Sequence, residues 1–205
     1  MRMSELLGFD LPEFIRAIGY LGIFIIVFLE SGIPIGFFLP GDSLLFSAGL
    51  LAALGVFNLF TLITLVVIAA ILGDSAGYWL GKRFGRKLFD KEKALFLSKK
   101  NLARTEAFYE KYGSRAIILA RFVPVVRTFT PILAGVAHMH YSTFIRYNII
   151  GAFVWGAGVT TLGFFLGSII PDIDKYLLPI VGLIIILSLL PIVFEVLKTR
   201  KNPAP

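Results

Sequence analysis

Four ionisable side chains stand where an oily sequence should carry none. Glu30 and Asp42 fall within "FLESGIPIGFFLPGDSLLFSAG", residues 28–49, and Arg121 and Arg127 within "ARFVPVVRTFTPILAGVAH", residues 120–138. A charge at the centre of a bilayer costs at least about 2.5–3.5 kcal/mol on insertion scales, so such residues pair, line water-filled space, or do both. Two acids in one half of the chain and two bases in the other read as groups that neutralise each other around a midplane cavity. Arginine rather than lysine adds chemistry, because its planar fork grips a phosphate or carboxylate through two parallel hydrogen bonds. Prolines 34, 40, 124 and 131 interrupt the same stretches. Broken helices there would offer free N–H groups and a positive dipole end to an anionic headgroup. A glutamate in that setting can take up a proton as substrate moves and so release its arginine. The plainer alternative is a structural ion-pair lock, with Asp42 capping the arm that starts at Ser43-Leu44.

Weaker signals surround this centre. Asp74, in "LGDSAGYWLG", either faces the cavity or pairs with a base such as Arg146. His138 and His140 neighbour an expected turn and have no carboxylate or third histidine at ligand spacing, so no metal site is read there. Trp79, Trp155 and the tyrosines read as belt or packing residues. The small-residue stripes Gly73/Gly77/Gly81 and Gly163/Gly167 read as close helix contacts.

The elements that must position these groups follow from composition and pattern. Of 205 residues, 57% are hydrophobic and only 16% charged. Mean hydropathy is +0.85. Such a chain suits an integral membrane protein and excludes an ordinary soluble domain. Cysteine is absent, which removes disulfides, thiolate nucleophiles and thiolate metal ligands. The opening residues do not resemble a cleaved signal peptide, since Glu5, Asp10 and Glu13 precede any apolar run. Asp10-Leu-Pro-Glu13 reads instead as a helix start.

Three segments reach the ~20 apolar residues a spanning helix needs: Val56–Leu80, Tyr147–Ile170 and Tyr176–Val196. Two regions fall short and read as re-entrant hairpins. The first has an arm Ala17–Leu29, stopped by Glu30, and a return arm Leu44–Phe57. The second runs from Arg115 to Met139, with Pro124 and Pro131 as breaks. Such backbone survives at depth only where protein or water surrounds it. The two halves share an offset: Ala48-Gly49 with Ala134-Gly135, and "GYWLG" at 77–81 with "GFFLG" at 163–167, are each 86 residues apart. Coincidence among small residues on packed helices is the alternative.

Charge orients the whole. Residues 82–115 hold 11 Lys/Arg against four Asp/Glu, and the tail adds Lys198, Arg200 and Lys201. The positive-inside rule places both in the cytoplasm. Tracing the chain on that basis runs the halves in opposite senses, an inverted repeat of the kind secondary transporters use. The N-terminus then lies outside. Leu95, Leu102 and Tyr109 at heptad spacing among basic residues suit an amphipathic helix on the cytoplasmic leaflet. Retention of basic loops explains that charge without nucleic acid.

At these residues the sequence resembles the DedA family, also described as the VTT or SNARE-associated Golgi protein family, over roughly Tyr20 to Gly167. The resemblance rests on "FLES" with "FFLPGDSLLFSAG", on "GDSAGYWLGKRFG", and on "FYEKYGSRAIILARFVPVVRTFTPILAGVAHM". It implies that Glu30, Asp42, Arg121 and Arg127 occupy positions the family treats as essential, and that the hairpins are re-entrant. It also implies movement of phospholipid-type molecules across bilayers, including undecaprenyl phosphate recycling in bacteria, in some members dependent on the proton motive force and supporting envelope integrity.

The expectation is therefore a single all-α polytopic membrane domain over residues 1–205. It comprises repeat 1 (about 17–81), a basic cytoplasmic linker (82–111), repeat 2 (about 112–168) and a C-terminal spanning helix (176–197). It would be an inner-membrane transporter or flippase for a phosphate-headed lipid, with undecaprenyl phosphate first among candidates. Arg121 and Arg127 would bind the headgroup, Glu30 and Asp42 would balance charge and couple protons, and Asp74 would be secondary. No cofactor or metal is expected, and a homo-oligomer is compatible with this reading. The alternative is a proton-coupled carrier for a small solute supporting envelope homeostasis. An enzyme is not expected, because neither histidine belongs to a recognisable nucleophile motif. A scaffold docking through the basic helix is the remaining class.

Overall fold

The computed structural model describes residues 11–33, 41–84 and 110–169, and within these the side chains of all but 11–18 and 124–125. The described residues are helical, with no strand. Helix α1 spans Leu11–Gly32, α2 Gly41–Ala53 and α3 Leu59–Phe84; a 3-10 turn at Gly113–Arg115 leads into the short α4, Ala116–Ala120, followed by α5, Pro124–Val136, and α6, Tyr141–Ile169.

Local chemistry explains the boundaries. Helix α2 ends in a Schellman turn: Gly55 adopts φ +76°, its N–H reaches the Ala52 carbonyl, and the Val56 N–H reaches that of Leu51. Asn58 then caps α3, its side-chain oxygen accepting from the Thr61 N–H at 3.0 Å. The end of α5 repeats the device with a less permissive residue. His138 takes φ 55°, its N–H on Gly135 and that of Met139 on Ala134. Between α4 and α5 the chain breaks at Arg121–Val123, where Val123 is extended (φ −120°, ψ 104°), as a residue before proline must be.

Contacts fix the directions. Tyr20 hydrogen-bonds to the Asn58 N–H and Gly32 abuts Gly73, so α1 runs parallel to α3. Asp42 meets Trp155, Gly49 lies against the backbone of Thr160 and Phe164, Gly163 against the Phe46 carbonyl and Gly167 against Leu50 and Ala53, so α2 runs parallel to α6. The same four-cornered contact joins α5 to α3: Gly135 lies against Tyr78 and Lys82, and Gly81 against the Ile132 carbonyl. Helices α3 and α6 are themselves antiparallel, with Val66 beside Gly156 and Tyr78 stacked on Phe144. The α1–α2 pair thus enters and leaves at the end of the bundle carrying residues 54–58. The α4–α5 pair enters and leaves at the opposite end, beside Lys82 and Arg83.

Helices α3 and α6 are long and apolar enough to cross a membrane. At ~1.5 Å per residue they extend about 39 and 44 Å, beyond a ~30 Å hydrocarbon core. Their outer faces bear large exposed apolar side chains, among them Phe60, Leu72, Phe153, Leu162 and Phe165. A belt of that size is at home in lipid rather than water. Within, Val27, Leu45, Leu62, Val66 and Ala152 form the main apolar core.

Several expectations shift. Glu30 does not stop the first arm; α1 continues through it to Gly32, since glutamate is a good helix former once its charge is met elsewhere. The return arm is Gly41–Ala53 rather than 44–57, and the first long helix starts at Leu59 and reaches Phe84, because Gly55 and Asn58 set its start. Pro131 lies inside α5 without ending it. The second long helix begins at Tyr141, six residues before Tyr147, with Ser142, Thr143 and Arg146 in its first two turns. Pro34, Pro40, the amphipathic basic helix and the segment 176–197 lie outside the described residues.

Candidate functional site

The end of α1, the start of α2 and the break between α4 and α5 meet beside the middle of α3, and the buried charges collect there in two groups. In the first, Arg121, at the C-terminus of α4, donates from Nη2 to Asp74 Oδ2 at 2.5 Å and to Asn148 Oδ1 at 2.6 Å. Asn148 in turn donates to the Ile71 carbonyl at 3.1 Å. All three side chains are buried. Three parts of the chain are tied there: α3, the exit of α4, and α6.

In the second group Arg127, one turn into α5, bridges the acids of the first hairpin. Its Nη2 pairs with Glu30 of α1, which is only 2% exposed. Its Nη1 donates to both oxygens of Asp42, at 3.0 Å each. Asp42 sits in the first turn of α2 and its side chain is 52% exposed. It therefore faces outward from the pair instead of serving only the helix start. Gly41 permits this approach: a methyl group at that position would fall on the Glu30 carboxylate.

Trp155 of α6 stands between the groups. Its Nε1 donates to Asp42 Oδ1 at 2.7 Å, and the guanidinium carbons of Arg121 and Arg127 lie 5.7 and 5.5 Å from its ring centre. Those are cation–π distances. A small cavity lined by Ser31, Asp74, Arg121, Arg127 and Trp155 adjoins both groups.

The placements sort the sequence candidates. Glu30, Asp42, Arg121, Arg127 and Asp74 all come to this centre. The acids of the first hairpin both go to Arg127; Arg121 takes Asp74, so Asp74 faces the cavity and its partner is Arg121, not Arg146. His138 is exposed beyond the end of α5, its Nδ1 against the Val136 carbonyl. Trp155 is a correction: it is neither belt nor simple packing but a buried hydrogen-bond donor. Asn148 and Ser31 were not singled out from sequence. Asn148 and Trp155 are seven residues apart on one helix, hence on one face. A lone asparagine inside a span was the available signal, because polar groups there turn toward the bundle. Among the described residues no cluster of His, Asp and Glu is arranged to hold a metal ion. Chemically, Arg127 holds two carboxylates, and a guanidinium fork suits carboxylate and phosphate oxygens alike.

Comparison with known proteins identifies the family. The VTT domain matches residues 39–169. Protein DedA of Escherichia coli (strain K12) is 45% identical over 187 residues, 90% of this chain and 85% of that protein. An uncharacterised membrane protein of Mycobacterium tuberculosis is 44% identical over 186 residues, covering 88% and 81%. Undecaprenyl phosphate transporter A of Staphylococcus aureus is 33% identical over 158 residues, covering 75% and 76%. No solved structure gives a significant match. The chain is a membrane protein and belongs to the DedA family of VTT-domain proteins.

Proposed function

We propose, from that family membership and the charge geometry at the hairpin tips, that the chain is a membrane transporter that carries a phosphate-headed lipid, undecaprenyl phosphate first among candidates, between leaflets. One observation carries the reading: Arg127 holds two acids of the opposite hairpin, one buried and one half exposed, beside a cavity at mid-bundle. An arginine so placed presents a bidentate phosphate grip. The relative named undecaprenyl phosphate transporter A supports the choice of lipid. The apolar outer faces of α3 and α6 would leave the lipid tail in the bilayer while its head visits the centre.

Each charged residue then has a role. Arg127 takes the headgroup, and Arg121, held by Asp74 and Asn148, supplies a fixed positive field next to it. Asp42 balances Arg127 between transport events. Glu30 couples the cycle to protons: neutralised, it no longer competes for Arg127. The opposed hairpins form an inverted repeat embedded re-entrantly from the two sides of the inner membrane. The end bearing Lys82, Arg83 and Arg115 faces the cytoplasm by the positive-inside rule.

The test is reconstitution in liposomes with labelled undecaprenyl phosphate and common phospholipids, with and without a pH gradient. Wild type should move the phosphate-headed lipid, and Arg127→Ala should abolish movement while eluting as a folded, monodisperse protein. Full activity in that variant would overturn the mechanism. Uptake of a soluble solute without lipid movement would select the small-solute alternative.

A further inference from the structure

The Arg127 site already grips an anion, and that anion belongs to the protein. Asp42 receives Nη1 of Arg127 on both oxygens and Nε1–H of Trp155 on Oδ1. A carboxylate and a phosphomonoester present the same feature to such donors: closely spaced oxygens sharing delocalised negative charge. What differs is who can leave. The Asp42 side chain is half exposed, whereas Trp155 is buried and its indole is set beside two guanidinium groups. Glu30 remains on Nη2, so Arg127 keeps a counter-charge when Asp42 departs. Arg121 is engaged with Asp74 and Asn148 and is not vacated by the same movement.

We propose that Trp155 is a headgroup ligand: its indole N–H and Arg127 together form a cradle for a phosphomonoester, in which Asp42 is the resident stand-in that the substrate displaces. This deepens the anion-transport reading above and rests on it. The cradle admits one anion at Arg127 rather than one shared between both arginines. The flat ring fixes the aim of the N–H, because tilting it would break its cation–π contacts.

Binding measurements on the full chain in detergent test this, with undecaprenyl phosphate, inorganic phosphate and neutral undecaprenol as probes. Trp79 and Trp155 are the two tryptophans, so Trp79→Phe leaves Trp155 as the sole indole reporter. Its emission should shift on adding either phosphate and stay constant with undecaprenol. A response to undecaprenyl phosphate alone would assign the cradle to lipid; an equal response to inorganic phosphate would assign it to the free anion; the cradle stands in both cases. In the Asp42→Ala background, where no competitor shares the bond, Trp155→Phe keeps an aromatic ring but loses the N–H, and should weaken phosphate binding about tenfold, the loss of one hydrogen bond to a charged group. Asp42→Ala removes the competitor and should tighten binding several-fold, a gain that a misfolded variant cannot produce. Unchanged affinity on adding Trp155→Phe to Asp42→Ala, or weaker binding in Asp42→Ala alone, overturns the cradle while loss of binding in Arg127→Ala leaves the headgroup reading standing. If wild type binds neither phosphate, or Arg127→Ala binds like wild type, both readings fall.

Discussion

At the residue scale, two arginines six positions apart do different work because their surroundings differ. Arg121 is enclosed with Asp74 and Asn148, and removing it strands a carboxylate and an amide in the bundle. Breaking a buried pair by deleting one partner costs about 3–5 kcal/mol, far more than replacing both. Arg121→Ala should therefore lower stability by that order in denaturant unfolding in detergent, and adding Asp74→Ala should restore part of the loss. A double variant no more stable than the single one would show the pair is not the source. Arg127 has a half-exposed partner and a softer position. Gly41 offers a probe that leaves both charges in place: Gly41→Ala pushes its new methyl into the Glu30 carboxylate. Transport should fall at least tenfold with little loss of fold, and wild-type transport rates would argue that the Glu30–Arg127 contact is dispensable. These contacts were partly legible beforehand. The four charges could be recognised from their cost in lipid, but their pairing could not, because side chains 85 to 97 residues apart in sequence meet only once the hairpins are packed.

At the scale of elements, the short helices owe their place to backbone contact rather than to side-chain grip. Gly49 and Gly163 join α2 to α6, and Gly135 and Gly81 join α5 to α3, each glycine lying against a main-chain carbonyl of its partner. Even one methyl group must separate these helices, and overpacking of this kind costs about 1–3 kcal/mol. Gly49→Ala and Gly135→Ala should each lower the unfolding midpoint. Gly22 and Gly158 face open space, and alanine there should be neutral or stabilising by about 0.5–1 kcal/mol. Equal behaviour of the two sets would contradict the interlocks. The glycine stripes were visible in sequence as close contacts, but their partners were not: an apolar face and a small residue name a surface without naming what covers it. Element ends moved for a related reason. Gly55 and Asn58 are turn and cap signals that outrank the apolar character of Val56 and Phe57. Pro131 shows the reverse, a breaker absorbed within a helix packed against α3.

At the scale of the whole molecule, the turns at residues 54–58 and 137–140 sit at opposite ends of the bundle. The native chain lacks cysteine, so single substitutions map topology without further changes. With the proposed orientation, Leu54→Cys should react with an impermeant thiol reagent from outside intact cells and His140→Cys only after permeabilisation. Labelling of both from the same side would rule out the opposed hairpins. The sequence by itself determined the solvent, since an apolar excess this large has no stable place in water, and it determined which charges demand an explanation there. It also set the helix ends that rest on local signals. Only the tertiary structure decided that Arg127 gathers both acids of the first hairpin, that Arg121 belongs to Asp74 and Asn148, and that Trp155 stands between them. The physical reason is range: burial cost and capping act within a few residues, whereas the direction of a buried hydrogen bond depends on which distant helix is packed opposite.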